Sequence, residues 1–203
     1  YLKKFMTRSL GEALSLLADK GDINLENSIS RGIEKESLRV SKDNTISSAD
    51  HPSSLGSALT NKFITTDFSE ALLELITPTH SSVENVLKNL DEICKFVAEE
   101  TPETIWPSSI PCKIENEDSI RLADYGTSNS GLLKTLYRSG LSYRYGSMMQ
   151  TVSGIHYNFS FSDAFFESLR GKENLQTFKN KSYLSLIRNF RRNAWMILYL
   201  FGS

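Results

Sequence analysis

The pattern of apolar and polar residues along the chain predicts three strands. Residues 31–40 (RGIEKESLRV) and 71–77 (ALLELIT) have the length and the bounding residues of strands, and Pro78 ends the second. A helix over 68–76 also fits, because a short apolar run does not fix a period. Residues 151–161 (TVSGIHYNFSF) alternate polar and apolar side chains, which is typical of a strand.

Helical spacing predicts four further elements. The clearest helix covers 82–100, where Ser82 is a candidate N-cap and one apolar stripe follows the helix. The stripe consists of Val83, Val86, Leu87, Leu90, Ile93 and Val97. Other helices are predicted over 9–19 (with Leu10, Leu14 and Leu17), after the polar loop 124–130 (through Leu132, Leu133, Leu136 and Tyr137), and over 178–200 (with Leu184, Ile187, Phe190, Ala194 and Ile197 inward).

The order of these elements predicts the fold class. The Ser-, Asn- and Asp-rich segment 41–62 is predicted as a long loop. Strands are scattered among helices without a regular strand–helix–strand alternation. This arrangement favours an α+β fold with a largely antiparallel sheet.

Composition is that of an ordinary globular protein. The 203 residues are enough for one core, and 39% hydrophobic with 23% charged residues argues against a disordered chain. The net charge is -1, and no basic stripe is interleaved with aromatic residues. These features argue against a nucleic-acid-binding surface.

The sequence favours the cytosol and a fragment of a longer protein. No secretory signal opens the chain, and no apolar run reaches the roughly 20 residues that a membrane span needs. Cys94 and Cys112 form no C-x-x-C pair, which suits free thiols in a reducing compartment. The chain starts at Tyr1 and stops with the apolar LYLFGS, a run that needs a partner to bury it.

Glu34 and Glu36 are the first candidates for chemistry. On a strand over 31–40 both carboxylates project from the same face, where two like charges repel. A hard divalent cation such as Mg²⁺ would neutralise such a pair, because it prefers oxygen ligands. The alternative is a solvated edge strand with surface glutamates.

Glu74 is the second candidate, because it is a charge inside an apolar run. A carboxylate among leucines is rarely left unpaired, and its partner is either a salt bridge or a metal ion. On a strand, Leu72, Glu74 and Ile76 share a face. On a helix over 68–76, Glu70 and Glu74 would share one instead.

The strand predicted over 151–161 separates a polar face from an apolar one. Val152, Gly154, His156, Asn158 and Ser160 share the first face, which with so apolar a back indicates the wall of a cavity. A lone histidine is more often a satisfied hydrogen-bonding residue than a metal ligand. Gly154 offers no bulk, so a ligand could approach the backbone there.

A group of phenols and guanidiniums follows the polar loop 124–130. Tyr137, Arg138, Arg144 and Tyr145 belong to it, and arginine suits the recognition of carboxylate or phosphate. Pairing of these arginines with local acids on a helix face is about equally consistent with the pattern. The sequence contains no P-loop and no G-x-G-x-x-G motif.

Several of these stretches together resemble the proteobacterial type of glutamate–cysteine ligase. The resemblance is carried in order by RGIEKESLRV (31–40), HPSSLGSALT (51–60), ITTDFSEALLELITP (64–78), DYGTSNSGLLKTLYRSGL (124–141), RYGSMMQTVSGIHYNFSF (144–161) and the final LYLFGS. It implies a glutamine-synthetase-like fold, in which a curved, largely antiparallel sheet forms a funnel with helices packed on its outer face.

The resemblance also implies a set of site residues. Glu34, Glu36, Glu74 and His156 match the family's metal-binding positions, for Mg²⁺ or Mn²⁺. Gln150, Val152 and Asn158 match positions around the substrate glutamate, and Tyr137 and Leu141 match part of the cysteine pocket. Glu74 would bridge metal and substrate, and Arg138 is our candidate for a phosphate contact.

The function that the resemblance implies is a two-step ligation. ATP phosphorylates the γ-carboxylate of L-glutamate, and the amine of L-cysteine then attacks the acyl phosphate, which begins glutathione biosynthesis. Residues 1–203 would be the N-terminal portion of a single catalytic domain that needs the missing C-terminal half for activity. Two alternatives remain: a carboxylate-pair hydrolase using Glu34 or Glu36 with Glu74, and a non-catalytic metal-binding fragment.

Overall fold

The computed structural model describes residue 15 and residues 28–202. The helix predicted over 9–19 lies, apart from residue 15, outside the described residues. The chain divides into two compact units, one formed by residues 31–159 and the other containing residues 160–202. The domain prediction, a single catalytic domain over 1–203, stays a prediction.

The first unit is built around an open antiparallel sheet. The strands are β1 (Ile29–Val40), β2 (Ile64–Thr66), β3 (Leu72–Ile76), β4 (Thr104–Ile105) and β5 (Ile155–Phe161). Their order is β2-β3-β1-β4, and β5 also pairs with β1. β1 is antiparallel to β3 and to β4, and β2 is antiparallel to β3. The predicted α+β class with an antiparallel sheet is confirmed.

Four α-helices and three short turns complete the fold over residues 28–202. The helices are α1 (Val83–Glu100), α2 (Asn129–Tyr145), α3 (Asp163–Leu169) and α4 (Leu175–Phe201). Turns of 3₁₀ helix occupy Ser53–Leu55, Glu117–Ser119 and Met148–Thr151. Ser82 caps α1 as predicted, because its side chain accepts a hydrogen bond from the amide of Asn85. Among the described residues, no helix is both long and apolar enough to cross a bilayer.

Side chains from the two faces of β1 and β3 enter separate apolar cores. Leu38 and Leu72 belong to one cluster, and Leu73 and Leu75 pack with Val97 of α1 in the other. This alternation confirms the strand over 71–77 and excludes the helical alternative. Leu38 and Leu72 share a face of the sheet with Glu36 and Glu74, so buried apolar side chains lie directly beside these two acids.

The stripe predicted on α1 is only partly buried. Val86 and Val97 are buried, and Leu90 and Ile93 pack against the second cluster. Val83 and Leu87 are about half exposed. These two residues lie in the first two turns of α1.

The strand predicted over 151–161 begins later than expected. Residues 148–151 form a 3₁₀ turn, in which the hydroxyl of Thr151 donates to the carbonyl of Met148 at 2.7 Å. The turn competes with extension, so pairing as β5 starts only at Ile155. Both faces of β5 are exposed, including the apolar side chains of Ile155 and Tyr157.

The inward face predicted for the last helix is also wrong. Its members are about half exposed, with the exception of Ala194, and they are Leu184, Ile187, Phe190 and Ile197. Among the described elements, α3 packs against α4 near the start of α4, where Phe178 is buried beside the ring of Phe166. Beyond that contact, helical periodicity alone does not bury a face.

Candidate metal centre

Three carboxylates meet on one face of the sheet. Glu34 and Glu36 are two residues apart on β1 and therefore share a face, and Glu36 stands directly opposite Glu74 of β3. The amide of Glu36 donates to the carbonyl of Gly154 at 2.9 Å, away from β3. The pair formed by Glu36 and Glu74 is therefore a non-hydrogen-bonded one, in which facing side chains come closest.

His156 of β5 joins the same group. Its Nδ1 lies 3.1 Å from Oε2 of Glu34, and its Nε2 lies 3.9 Å from Oε1 of Glu36. One ligand atom each from Glu34, Glu74 and His156 can be chosen so that all lie within 4.8 Å of one another. The four residues that the sequence singled out for a metal thus lie together, although Glu36 is not part of that closest set.

Gly154 explains the position of Glu36. The amide of Gly154 donates to Oε2 of Glu36 at 2.7 Å, so the same glycine binds both the backbone and the carboxylate of Glu36. A Cβ at Gly154 would lie 3.0 Å from Nε2 of His156 and 3.4 Å from Oε2 of Glu36. The residue is therefore a glycine because two site side chains occupy the space of its missing side chain.

Burial and the charges of neighbouring acids raise the pKa of two of these carboxylates, Glu74 and Glu36. Desolvation, with the charges of Asp67, Glu34 and Glu36, raises the pKa of Glu74 from 4.5 to about 7. Burial also raises the pKa of Glu36, although the Gly154 amide acts in the opposite direction. At neutral pH the group therefore favours a bound proton or cation.

The imidazole supplies part of that compensation. The hydrogen bond from His156 to Glu34 raises the pKa of His156, and the charges of Glu36, Glu34 and Glu74 add to it. No salt bridge or hydrogen bond of Glu74 is found in the described part of the chain, which argues against the structural salt bridge as its partner. Two carboxylates and one imidazole are a donor set that suits Mg²⁺ or Mn²⁺.

Sequence reasoning missed Asp67, which follows β2. Its charge is the largest electrostatic contribution, after burial, to the raised pKa of Glu74. Nε of Arg138 donates to the carbonyl of Asp67, and a terminal nitrogen of Arg138 lies 3.6 Å from Oδ1 of Asp67. The sequence did contain a signal for it. Asp67 lies in the turn between β2 and β3, and β3 carries the candidate acid Glu74.

The guanidinium of Arg138 already has several partners within the chain. Its guanidinium lies over the ring of Tyr125, 4.6 Å from the centroid, and also donates to the carbonyl of Lys134. The hydroxyl of Tyr125 donates to the carbonyl of Thr66 at 2.6 Å. Three of the nitrogens of Arg138 thus have protein partners, and its predicted phosphate contact stays a prediction.

Glu70 shows what a structural carboxylate in this region looks like. It is buried, and its two oxygens accept hydrogen bonds from the amides of His51 and Asp124, each at 2.8 Å. It therefore joins two loops to the turn before β3. Glu74 differs because it faces other acids rather than amides.

The predicted substrate residues are less gathered than the acids. Tyr137 and Val152 are largely exposed, and Gln150 is half-buried in the 3₁₀ turn. Asn158 lies on the same face of β5 as His156, since the two are two residues apart. Leu141 packs against the first apolar cluster. Their contacts with substrates stay predictions.

Comparison with known proteins gives one consistent result. The family model described as "Glutamate-cysteine ligase" matches residues 14–203. A glutamate–cysteine ligase from Pseudoalteromonas translucida is 49% identical over 97% of this chain and 38% of its own length. One from Hahella chejuensis is 52% identical over 86% of this chain and 34% of its own length. The chain therefore spans little more than a third of these curated relatives.

Two solved structures are similar to this chain. A glutamate–cysteine ligase from Francisella tularensis in complex with AMP has a TM-score of 0.80 and 39% identity, over 87% of this chain and 35% of that one. A bifunctional glutathione synthetase from Pasteurella multocida has a TM-score of 0.78 and 34% identity, over 91% of this chain and 25% of that one. The chain belongs to the glutamate–cysteine ligase family.

Proposed function

We propose that this chain forms the metal-holding wall of a glutamate–cysteine ligase that works in the cytoplasm. The reaction is the ATP-dependent joining of L-glutamate and L-cysteine to γ-glutamylcysteine, the first step of glutathione biosynthesis. The observation that carries the proposal is the approach of ligand atoms from Glu34, Glu74 and His156 to within 4.8 Å of one another, in a chain of this family.

The donor set supports a hard divalent ion and a role for each of the four residues. Glu34, Glu74 and His156 hold Mg²⁺ or Mn²⁺, and Glu36 adds Oε1, because its Oε2 is bound by the Gly154 amide. When bound, the ion offsets the charge of the phosphates of ATP and of the phosphoryl group in transfer. The AMP complex of the Francisella tularensis relative supports a nucleotide as co-substrate.

The reaction has two balanced steps. An oxygen of the glutamate γ-carboxylate attacks the γ-phosphorus of ATP, and ADP leaves. The amine of cysteine then attacks the γ-glutamyl phosphate at its carbonyl carbon, and inorganic phosphate and a proton leave. The chain contributes positioning in both steps, because reacting groups held in line lose little further entropy.

The resemblance to the family supports the substrate-binding roles that we propose. Gln150, Val152 and Asn158 bind the glutamate, and Tyr137 and Leu141 bind the cysteine. Glu74 would bridge the ion and the glutamate, and Arg138 would contribute positive charge toward the transferred phosphate. Turnover also needs the part of the relatives that this chain does not span, so we expect the isolated chain to be inactive.

The alternatives differ in what they require. A carboxylate-pair hydrolase would act without nucleotide, and membership of a ligase family does not favour it. A non-catalytic fragment would bind the ion without supporting turnover even when the rest of a ligase is supplied. A turnover assay with the missing part of a relative added therefore distinguishes the hypothesis of a non-catalytic fragment from that of a ligase.

Metal binding by the chain is the first test. Titration with Mn²⁺, followed by electron paramagnetic resonance and calorimetry, should show one saturable site, and Mg²⁺ should displace the Mn²⁺. Glu74→Gln should weaken the site, whereas Glu99→Gln, an exposed change on α1, should not. Equal affinity for the two variants would contradict the proposal.

A further inference from the structure

The final turns of α4 are apolar on every side. Seven consecutive residues form this segment, which we call the apolar tip, and they are Trp195, Met196, Ile197, Leu198, Tyr199, Leu200 and Phe201. Because an α-helix has 3.6 residues per turn, seven consecutive side chains point all around the axis. Each is between 46% and 81% exposed. A helix that is hydrophobic all round belongs inside a core.

The turns before the apolar tip carry positive charge. Arg188, Arg191 and Arg192 lie there, and residues 174–203 contain no Asp or Glu. Within residues 28–202, none of these three arginines forms an ion pair with a carboxylate. A surface that covers α4 should therefore be apolar around the tip and acidic beside the arginines.

Because apolar side chains surround the helix axis, the pattern distinguishes between the surfaces that could cover the apolar tip. A helix lying on a membrane surface buries one face, and a two-fold contact with a second copy buries one stripe. The stripe predicted over 9–19 would also cover one side only. Enclosure on all sides needs several elements of a protein core.

We propose that the apolar tip is a core helix of the complete ligase, enclosed by the polypeptide that makes up the rest of the family's length. More than half of the Pseudoalteromonas translucida relative lies outside its match to this chain, so enough polypeptide exists to surround the helix. The proposal rests on family membership and on the helix, and it does not depend on the metal ligands or on the reaction.

The tip carries its own reporter. Trp106 and Trp195 are the only tryptophans, so Trp106→Phe leaves Trp195 as the single fluorophore. In the isolated chain, Trp195 should emit as a solvated indole and be quenched freely by acrylamide. In a chimera that continues this chain with the rest of the Pseudoalteromonas translucida ligase, we expect emission at shorter wavelength and quenching at least several-fold weaker.

A matched pair of variants tests the enclosure itself. Leu198→Glu and Gln176→Glu each add one negative charge to α4 at an exposed position. Both should leave the thermal unfolding of the isolated chain unchanged. When the chain and the missing part of the relative are mixed as separate pieces, Leu198→Glu should weaken their complex on the order of a hundredfold, because it buries an unpaired charge. Gln176→Glu should not.

Four results would overturn the proposal. Trp195 could stay as accessible in a chimera that binds Mn²⁺ as it is in the isolated chain. The chain and the missing part of the relative could form no complex when mixed. This second experiment tests the enclosure even if the chimera is insoluble. Leu198→Glu could bind like the unmodified chain. Finally, the isolated chain could shield Trp195 by self-association or on anionic lipid vesicles. Loss of ligase turnover alone affects only the proposed function.

Discussion

The two walls of the candidate metal centre are held with different firmness. Glu36 and Glu74 stand on β1 and β3, directly beside the buried pair Leu38 and Leu72 on the same face. His156 stands on β5, where its side chain is 55% exposed and the neighbouring residues are exposed as well. The acidic wall, which carries the carboxylates of β1 and β3, adjoins a core. The imidazole wall, which carries His156, is a solvated strand.

The difference assigns separate tasks to the walls. The acids are fixed by packing before any ion arrives, and burial together with the charges of neighbouring acids raises the pKa of Glu74. The imidazole is oriented mainly by the acids themselves, through Glu34 at 3.1 Å. The acidic wall should therefore set the affinity for the ion, and the imidazole wall should adjust it.

The largest expected effect comes from the acidic wall. Glu74→Gln keeps the size of the side chain but removes the charge, so Mn²⁺ affinity should fall on the order of a hundredfold or more. The metal-free variant should be at least as stable as the unmodified chain, because a repelled carboxylate is gone. Calorimetric titration and thermal unfolding measure the two effects. A loss of folding would instead mean that Glu74 is structural.

The junction of the two walls should respond next. Gly154→Ala places a Cβ 3.0 Å from Nε2 of His156, so the imidazole must shift, and 3.4 Å from Oε2 of Glu36, which is ordinary van der Waals contact. We expect Mn²⁺ binding to weaken by about tenfold to a hundredfold, the range seen when groups that orient ligands are changed. Gly140→Ala is the control, because nothing lies within 4 Å of a Cβ there. Similar affinities for the two variants would contradict the role of Gly154 in positioning Glu36 and His156.

The imidazole wall should give a smaller and ion-dependent effect. His156→Ala should weaken Mn²⁺ binding by roughly tenfold and Mg²⁺ binding by less, since Mg²⁺ prefers oxygen ligands more strongly. Because His156 is exposed, the fold should remain intact. Competition between the two ions in one titration shows the difference. An equal loss for both would mean that the histidine acts only through the acids.

The smallest effect is on stability without metal. Between pH 4.5 and about 7 the folded chain keeps a proton on Glu74 that the unfolded chain has lost, so stability falls as pH rises. The raised pKa of His156 acts in the same direction: its contribution is complete below pH 6.5 and is lost as pH rises through the higher folded value. Melting temperature should drop by a few degrees across this range. Glu74→Gln should remove the part below pH 7.

The metal-bound chain should behave in the opposite way. Protons and ions compete for the same carboxylate, so Mn²⁺ affinity should increase with pH up to about 7 and then level off. Proton release, measured by calorimetry in buffers of different ionisation enthalpy, reports this competition. Affinity that does not change with pH would show that Glu74 is not a ligand.

The sequence predicted part of the acidic wall. Side chains alternate along a strand, so a strand over 31–40 predicts that Glu34 and Glu36 share a face, and a strand over 71–77 places Glu74 on the face away from Leu73 and Leu75. What it could not supply was the register, and the register decides that Glu36 faces Glu74. The role of Gly154 was also missed, because a glycine shows nothing of which side chains will occupy its space.

The exposed elements were harder to predict for a different reason. The stripe on α4 was assigned inward because apolar spacing indicates a buried face, but burial also needs a second surface. The start of β5 depended on a 3₁₀ turn stabilised by Thr151, a local hydrogen bond that periodicity does not reveal. The first error lies where the packing partner of an element decides its environment, and the second lies where a local hydrogen bond decides the backbone conformation.

One measurement tests the convergence of the walls most directly. Crystals of the chain grown with Mn²⁺ should show a single strong anomalous-scattering peak bounded by Glu34, Glu74 and His156, and the peak should vanish in Glu74→Gln crystals. A peak elsewhere on the molecule, or these three side chains directed away from one another, would contradict the account.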